Sequence, residues 1–430
     1  MKKLIVIFIS LCSSVSSICA QTETQSFDAG GIKVIFKHTS KNIINVQLFF
    51  RGGVSNYTAD KAGIENTTLG ATVTCGAGKY NSAIFRDTAE KYGIDFSGAS
   101  TLDYGYVRVN CVSKYFDKAW DMFSEAISNP RFEESELKLL KQKEIASNKE
   151  HYSNPGNILA RLTMQNAFEN TPYIIDPTGT EETVSKLNAD DLKRYYKTIL
   201  NKNKIFIVVV GNVTKQELFE KILAAFDNLP SEPYSPVEQQ TPVWKDNRFQ
   251  TEERPLKTNY VCAVMNAPDY TSINYVPFRL GVMGLSGNLY QRLRTQNNLS
   301  YNPGAEVVET KMPFAMMSTD ANNPQQAVFG MMQVLKSIQS NGVDNEWLQH
   351  IKNVYLTHSY INEQSPAAIC NILGEAEILG GWQYADDLPK LVQMVTVQQV
   401  NSALNYYITG LRWTYLGNID AIEGFKPPPY

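Results

Sequence analysis

"VSKLNADDLKRYYKTIL" (184–200), followed at once by "KIFIVVVGNV" (204–213), sets the architecture of this 430-residue chain. Asn188 stands where a helix would open, because its short side chain can accept a backbone N–H that the first turn leaves unpaired. The Ile/Val run behind it reads as a buried strand ending at Gly211-Asn212. The same order returns near the end of the chain as "VQMVTVQQVNSALNYYI" (392–408) and "LRWTYLGNID" (411–420). Val184 matches Val392, Leu187 matches Val395, Asn188 matches Thr396 and Leu192 matches Val400, and each strand closes on Gly-Asn.

Working outward, the echo continues. "LGATVTCGAG" (69–78) aligns with "LGVMGLSGN" (280–288), and "EESELKLLKQ" (133–142) with "DNEWLQHIKN" (344–353). Repeats of this size imply two homologous units. "GGIKVIF" (30–36) and "NIINVQLFFRGG" (42–53) read as a pair of strands split by a polar turn at His38–Lys41. "YGYVRVNCV" (104–112) reads as a further strand, and Phe116, Ala119, Trp120, Phe123 and Ile127 share one face of a helix. Five prolines between 228 and 255 break periodicity, since proline fixes φ and removes a donor. The expected fold class is therefore α+β: two tandem domains, each a mainly antiparallel sheet covered by helices, closing as a clamshell. The expected boundaries are a leader over 1–20, a first domain over 21–229, a linker over 230–255 and a second domain over 256–430.

The leader reading rests on Lys2 and Lys3, an apolar run from Leu4 to Leu11 and small residues up to Ala20. This is the pattern of a secretory signal cleaved after Ala20, too short for the ~20 residues of a spanning helix. The expectation is an exported protein, periplasmic or extracellular, with no transmembrane segment after cleavage. Removing Lys2 and Lys3 takes the formal charge from −3 to −5, and no Lys/Arg cluster offers a face for nucleic acid. Cys75, Cys111, Cys262 and Cys370 remain, without CxxC spacing, which excludes zinc ribbons and redox dithiols and favours buried thiols.

Self-contained hydrolytic chemistry is missing. His38, His151, His350 and His358 form no HxH, HxxH or HExxH. His350 and His358 are separated by a rotation of about 80° beyond two turns, so they cannot grip one ion. No GxSxG, P-loop or strand-linked GxGxxG is present. The end "FKPPPY" (425–430) reads as an exposed tail, with polyproline II contact a conceivable use.

Two segments carry a resemblance. "LGVMGLSGNLYQRLRTQNNLSYNPGAEV" (280–307) places Leu293-Arg294 and then Leu299-Ser300-Tyr301 after a small-residue helix. With the tandem layout, this is similar to the C-terminal half of insulinase/pitrilysin-like peptidases, whose zinc motif is H-x-x-E-H. The resemblance covers nearly the whole chain beyond the leader, and its order of motifs is more specific than any one of them. It implies that Arg294 and Tyr301 hold substrate backbone and a developing oxyanion, roles that suit a planar guanidinium and a phenol donor. Laid against "GIENTTLGATV" (63–73), the histidine positions fall on Asn66 and Gly70 and the glutamate position on Leu69. None can perform zinc chemistry, Glu65 sits one residue early, and a downstream carboxylate at Glu144 or Glu150 cannot hold zinc alone.

Some members of that family divide the two roles between chains. The resemblance therefore implies a zinc-free subunit that binds no cofactor itself. Its partner would be an H-x-x-E-H-bearing chain of similar size that carries the zinc, and the substrates would be peptides. The alternative is a non-catalytic scaffold or peptide-binding protein of the same fold.

Overall fold

The computed structural model describes residues 23–425. The expected leader (1–20) and the prolines of the tail lie outside the described residues. In the first half, β1 (Gln25–Ala29), β2 (Ile32–His38) and β3 (Ile43–Arg51) precede α1 (Ile64–Thr74) and α2 (Ser82–Tyr92). β4 (Asp95–Ser100), β5 (Tyr104–Val112), α3 (Phe116–Ser128), α4 (Glu134–His151) and α5 (Pro155–Ala167) follow. α6 (Glu181–Lys186), α7 (Ala189–Ile199), β6 (Ile205–Gly211) and α8 (Lys215–Phe226) complete this half.

The second half opens with β7 (Arg248–Glu253), β8 (Asn259–Asn266) and α9 (Tyr275–Leu289), then β9 (Gly304–Val308) and β10 (Phe314–Ala321). Helices α10 (Pro324–Asn341), α11 (Asn345–Asn362), α12 (Pro366–Leu379), α13 (Gln383–Met394) and α14 (Val397–Tyr407) lead to β11 (Arg412–Gly417).

The repeat is present at the level of hydrogen bonds. Asn188 caps α7 in a reciprocal box with Asp191, and Thr396 caps α14 in the same way with Gln399. The sheets run β1-β2-β6-β3-β5-β4 and β7-β11-β8-β10-β9. In each, the last strand of the half enters between the first two of the shared pattern. β6 pairs parallel with β2 and antiparallel with β3; β11 does the same with β7 and β8.

This corrects the reading of 30–36 and 42–53 as a simple strand pair. Every residue of β6 is buried, so it takes a central place with a ladder on both edges, and β2 and β3 are held apart by it. His38 closes β2 rather than sitting in the turn. The expected linker, 230–255, also carries more structure than its prolines imply. β7 joins the second sheet in parallel register with β11, and Trp244 is buried with its backbone bracketed by the Asn266 carboxamide.

One face of the first sheet is covered by its own helices through Leu69, Phe123, Leu192 and Ile222. The second sheet is covered likewise through Phe278, Leu285, Met331 and Leu404. The opposite faces are exchanged between halves. Ile369, Cys370, Leu373 and Ile378 of the α12 region lie on Ile35, Phe49, Phe206, Val208 and Val210 of the first sheet. In return, Leu159 and Leu162 of α5 lie on Cys262 and Leu416 of the second, and Asn166 donates to the Trp413 carbonyl at 2.9 Å. A methyl at Gly374 would stand 1.9 Å from Phe49 Cζ, so glycine is required for this approach.

Polar clamps lock the exchange. The Glu377 carboxylate of α12, 6% exposed, accepts from Lys33 Nζ at 2.8 Å and from Arg51 Nη2 at 2.8 Å. Asp103 accepts from the Tyr173 hydroxyl at 2.5 Å and from the Lys311 backbone N–H of the other half at 2.9 Å. Among the described residues, Cys75, Cys111, Cys262 and Cys370 are buried and form no disulfide, and burial raises their thiols above the usual range. Glu377→Ala strands two cations against a buried surface. It should cost about 3 kcal/mol, the low end for breaking a buried pair because Lys33 keeps contact with water. Urea unfolding measures this, and a loss below about 1 kcal/mol, as for a surface pair, would show that apolar contact alone holds the halves.

Candidate functional site

The stretch that the resemblance sets against a metal motif, residues 63–73, falls on α1. Helical geometry turns successive residues by about 100°, so Glu65 and Asn66 face different ways. Asn66 points toward α4, where its Nδ2 donates to Glu144 Oε1 at 3.0 Å while its Oδ1 accepts from the Ser100 backbone N–H at 3.3 Å. Thr67 Oγ1 donates to the other oxygen of Glu144 at 2.8 Å. Of the two acidic candidates on α4, the structure therefore brings Glu144 to Asn66. Glu150 is exposed.

Gly70 leaves room in the same cleft. A Cβ there would lie 3.7 Å from Glu144 Oε1 and 3.6 Å from the Gly98 carbonyl, which is ordinary contact. Leu69 is fully buried in the core and is unavailable to the cleft. These residues do not fit zinc. One carboxylate, already satisfied by a carboxamide and a hydroxyl, is at most one of the three nitrogen, sulfur or carboxylate ligands that a catalytic zinc takes from protein. Among the described residues, no three His, Cys, Asp or Glu side chains gather as a metal site.

Burial pushes the Glu144 carboxyl from its ordinary 4.5 up to about 7, only partly offset by Thr67 and Asn66. Glu65, which sequence reasoning set aside, has a separate structural place. It is fully buried and accepts from the Tyr195 hydroxyl, from Asn56 Nδ2 at 2.9 Å and from Ser100 Oγ at 2.9 Å. Burial raises its carboxyl above the usual range, against those three donors. It ties α1 to α7 and β4 from the core side of the helix. No spacing in the sequence distinguishes such an anchor from an exposed glutamate.

The second cluster lies on the other half. After α9 the chain widens into a π-helical turn, Tyr290–Gln296, of the kind that often marks a functional position. Leu293 is fully buried and fixes this turn against α10, where a Cβ at Gly330 would come within 2.8 Å of its side chain. Asn298 takes a left-handed φ of 51°, and the Leu299 N–H returns to the Leu293 carbonyl at 2.7 Å. Asp320 of β10 accepts from Ser300 Oγ at 2.7 Å and from the backbone N–H groups of Tyr301 and Asn302 at 3.2 and 3.0 Å.

These bonds present Tyr301 to solvent, 75% exposed, beneath the Arg294 guanidinium at 4.2 Å from the ring centre. An exposed cation–π pair is worth about 0.5–1 kcal/mol, enough to orient the guanidinium. Among the described residues, neither the guanidinium nor the phenol oxygen has a hydrogen-bond partner. Arg294 and Tyr301 are thus brought together. They share no bond with Asn66 or Glu144, which sit on the other half.

Two domain families match the chain: insulinase (peptidase family M16) over residues 33–179, and the peptidase M16 inactive domain over residues 186–355. The chain belongs to the M16 insulinase family. It is 23% identical over 372 residues to the non-peptidase homolog YmxG of Helicobacter pylori, covering 83% of this chain and 84% of that protein. Its fold is similar to the peptidase M16 inactive domain from Pseudomonas fluorescens, with a TM-score of 0.81 and 19% identity over 92% of this chain and 98% of the other. It is also similar to the periplasmic protease PqqL of Escherichia coli, with a TM-score of 0.77 and 13% identity, covering 97% of this chain and 49% of that one.

Because folded Glu144 holds its proton more tightly than the unfolded chain does, its contribution to stability is full below pH 4.5 and is lost as the pH rises through about 7. Glu144→Gln should abolish that loss. Between pH 4.5 and 8 the variant should gain about 1–3 kcal/mol relative to the parent, measured by urea unfolding across pH. Parallel stability curves would place the proton elsewhere.

Proposed function

We propose that this chain is the zinc-free shell of a two-chain insulinase-type peptidase, exported to the periplasm or medium. It supplies Arg294 and Tyr301 to peptides cleaved on a partner that bears H-x-x-E-H. The observation that carries the reading is the Arg294–Tyr301 stack, solvent-facing on a pinned turn, in a chain whose own metal position holds Asn66, Leu69 and Gly70. Such a stack leaves the guanidinium edge open for substrate carbonyl oxygens and the phenol O–H for an oxygen gaining negative charge. Pre-orientation by the ring reduces the entropy of ordering a long side chain when substrate arrives.

The partner's zinc would supply an activated water. This chain's contribution is to hold the peptide and to exclude solvent around it. Likeness to half of a periplasmic protease about twice as long supports a shell that needs a second one, and supports the compartment. No helix of the described residues is long and apolar enough to cross a membrane.

A second reading is favoured by the relative named a non-peptidase homolog: a scaffold or peptide-binding protein without a catalytic part. The two separate experimentally. Affinity purification from the envelope fraction should recover a near-stoichiometric H-x-x-E-H chain. In the reconstituted pair, Arg294→Ala should lower kcat/KM about 100-fold and Tyr301→Phe about tenfold, with unchanged co-elution on size exclusion. Full activity in a normally assembled variant pair would leave the scaffold reading standing.

A further inference from the structure

A cavity of about 570 Å³ opens between the C-terminal half of α4, α5 and the segment 173–183, within the size range of small-molecule sites. Its walls are largely apolar, with Leu102, Ile145, Met164, Ile174 and Ile175 among them. Arg161 of α5 enters this space with its guanidinium stacked on the Tyr152 ring, 4.6 Å from the centre. Its Nε is buried and has no hydrogen-bond acceptor among the described residues, and none of its nitrogens makes an ion pair there. A buried N–H of a permanent cation without an acceptor is costly, and native structures seldom retain one without a use.

The surrounding charges do not fill that need. Asp176 is engaged by the Tyr152 hydroxyl and by the backbone N–H and hydroxyl of Thr178 at 2.9 and 2.8 Å. Glu181 is spent on Lys149 at 2.9 Å, both more than half exposed. His151 meets Asn157 at 3.2 Å. The site therefore offers a guanidinium without a direct ion pair beside an apolar chamber that Asp176 and Glu181 also line, which disfavours a dianion.

We propose that this cavity binds a monocarboxylate carried on an apolar group. The guanidinium edge takes the two carboxylate oxygens as a bidentate pair, the geometry for which arginine is best suited. The apolar group enters the chamber between Ile145 and Met164. Both a free organic acid and the C-terminal carboxylate of a peptide ending in an apolar residue present this chemistry. The site is separate from Arg294 and Tyr301, so its test does not depend on the function proposed above.

Isothermal titration of the protein with octanoate and with octanamide tests it on the unmodified chain. Saturable binding of octanoate, with octanamide at least about tenfold weaker, is expected for a charge-assisted bidentate contact. Arg161→Met, which preserves bulk, should reduce octanoate affinity about tenfold or more while the circular dichroism melt stays unchanged. A leucine-terminated tetrapeptide distinguishes the sources: tighter binding than octanoate assigns the site to peptide C-termini, weaker binding to free acids. Equal binding of acid and amide, or no binding of octanoate or tetrapeptide up to about 5 mM, overturns the proposal.

Discussion

Neither sheet of this protein can bury both faces with helices of its own half, and the fold depends on how that shortage is met. β6 is buried along its whole length, and Phe49 and Phe206 stack at 4.8 Å on the face that the first half leaves bare. α12 covers them from the second half, and α5 returns the cover to the second sheet. Large apolar side chains exposed on either face would make isolated halves aggregate. The Glu377 clamp, the Asp103 bond to Lys311 and the glycine at 374 all serve this exchange. Each sits where two elements distant in sequence must approach closely.

The repeat itself was legible because it is written in local signals. Asn188 and Thr396 announce helix starts through side-chain chemistry that acts over three residues, and the Ile/Val run of β6 announces burial on both faces. The insertion of β6 between β2 and β3 was not legible. Periodicity reports which face of a strand is apolar but is silent on which strand lies beside it. The exchange of α5 and α12 escaped for the same reason: an apolar helix face does not name the sheet it covers. At the candidate site, the sequence shows directly that Asn66, Leu69 and Gly70 carry no zinc-binding group. The choice of Glu144 over Glu150 could not be read there, because it depends on how α4 crosses α1. The stacking of Arg294 on Tyr301 also lay beyond spacing. The two residues are not on one helix, and a π turn and a left-handed Asn298 bring them together.

The cleft between α1 and α4 is held together by polar contacts among neutral and acidic side chains. Asn66 spends its donor on Glu144 and its acceptor on the backbone of β4, so one amide bridges helix and sheet edge. Glu65, one residue earlier, holds the same helix from the core side through Tyr195, Asn56 and Ser100. The helix is thus held on two faces by hydrogen bonds, in addition to the apolar packing of Leu69 and its neighbours. Burial holds the carboxyl of Glu144 in a largely neutral state at acidic pH.

The central position of β6 bears on how the molecule is made. Residues 32–51 are synthesised before the strand that joins β2 to β3, which ends at Gly211, and before the helix that covers their far side, which ends at Leu379. Contacts spanning such separations carry a high loop-closure entropy and slow the folding reaction. The first half therefore has one sheet face uncovered while α12 is still emerging from the ribosome. That face is covered only after α12 has been made, which leaves the strands beneath it open to capture by chaperones until both halves can close together.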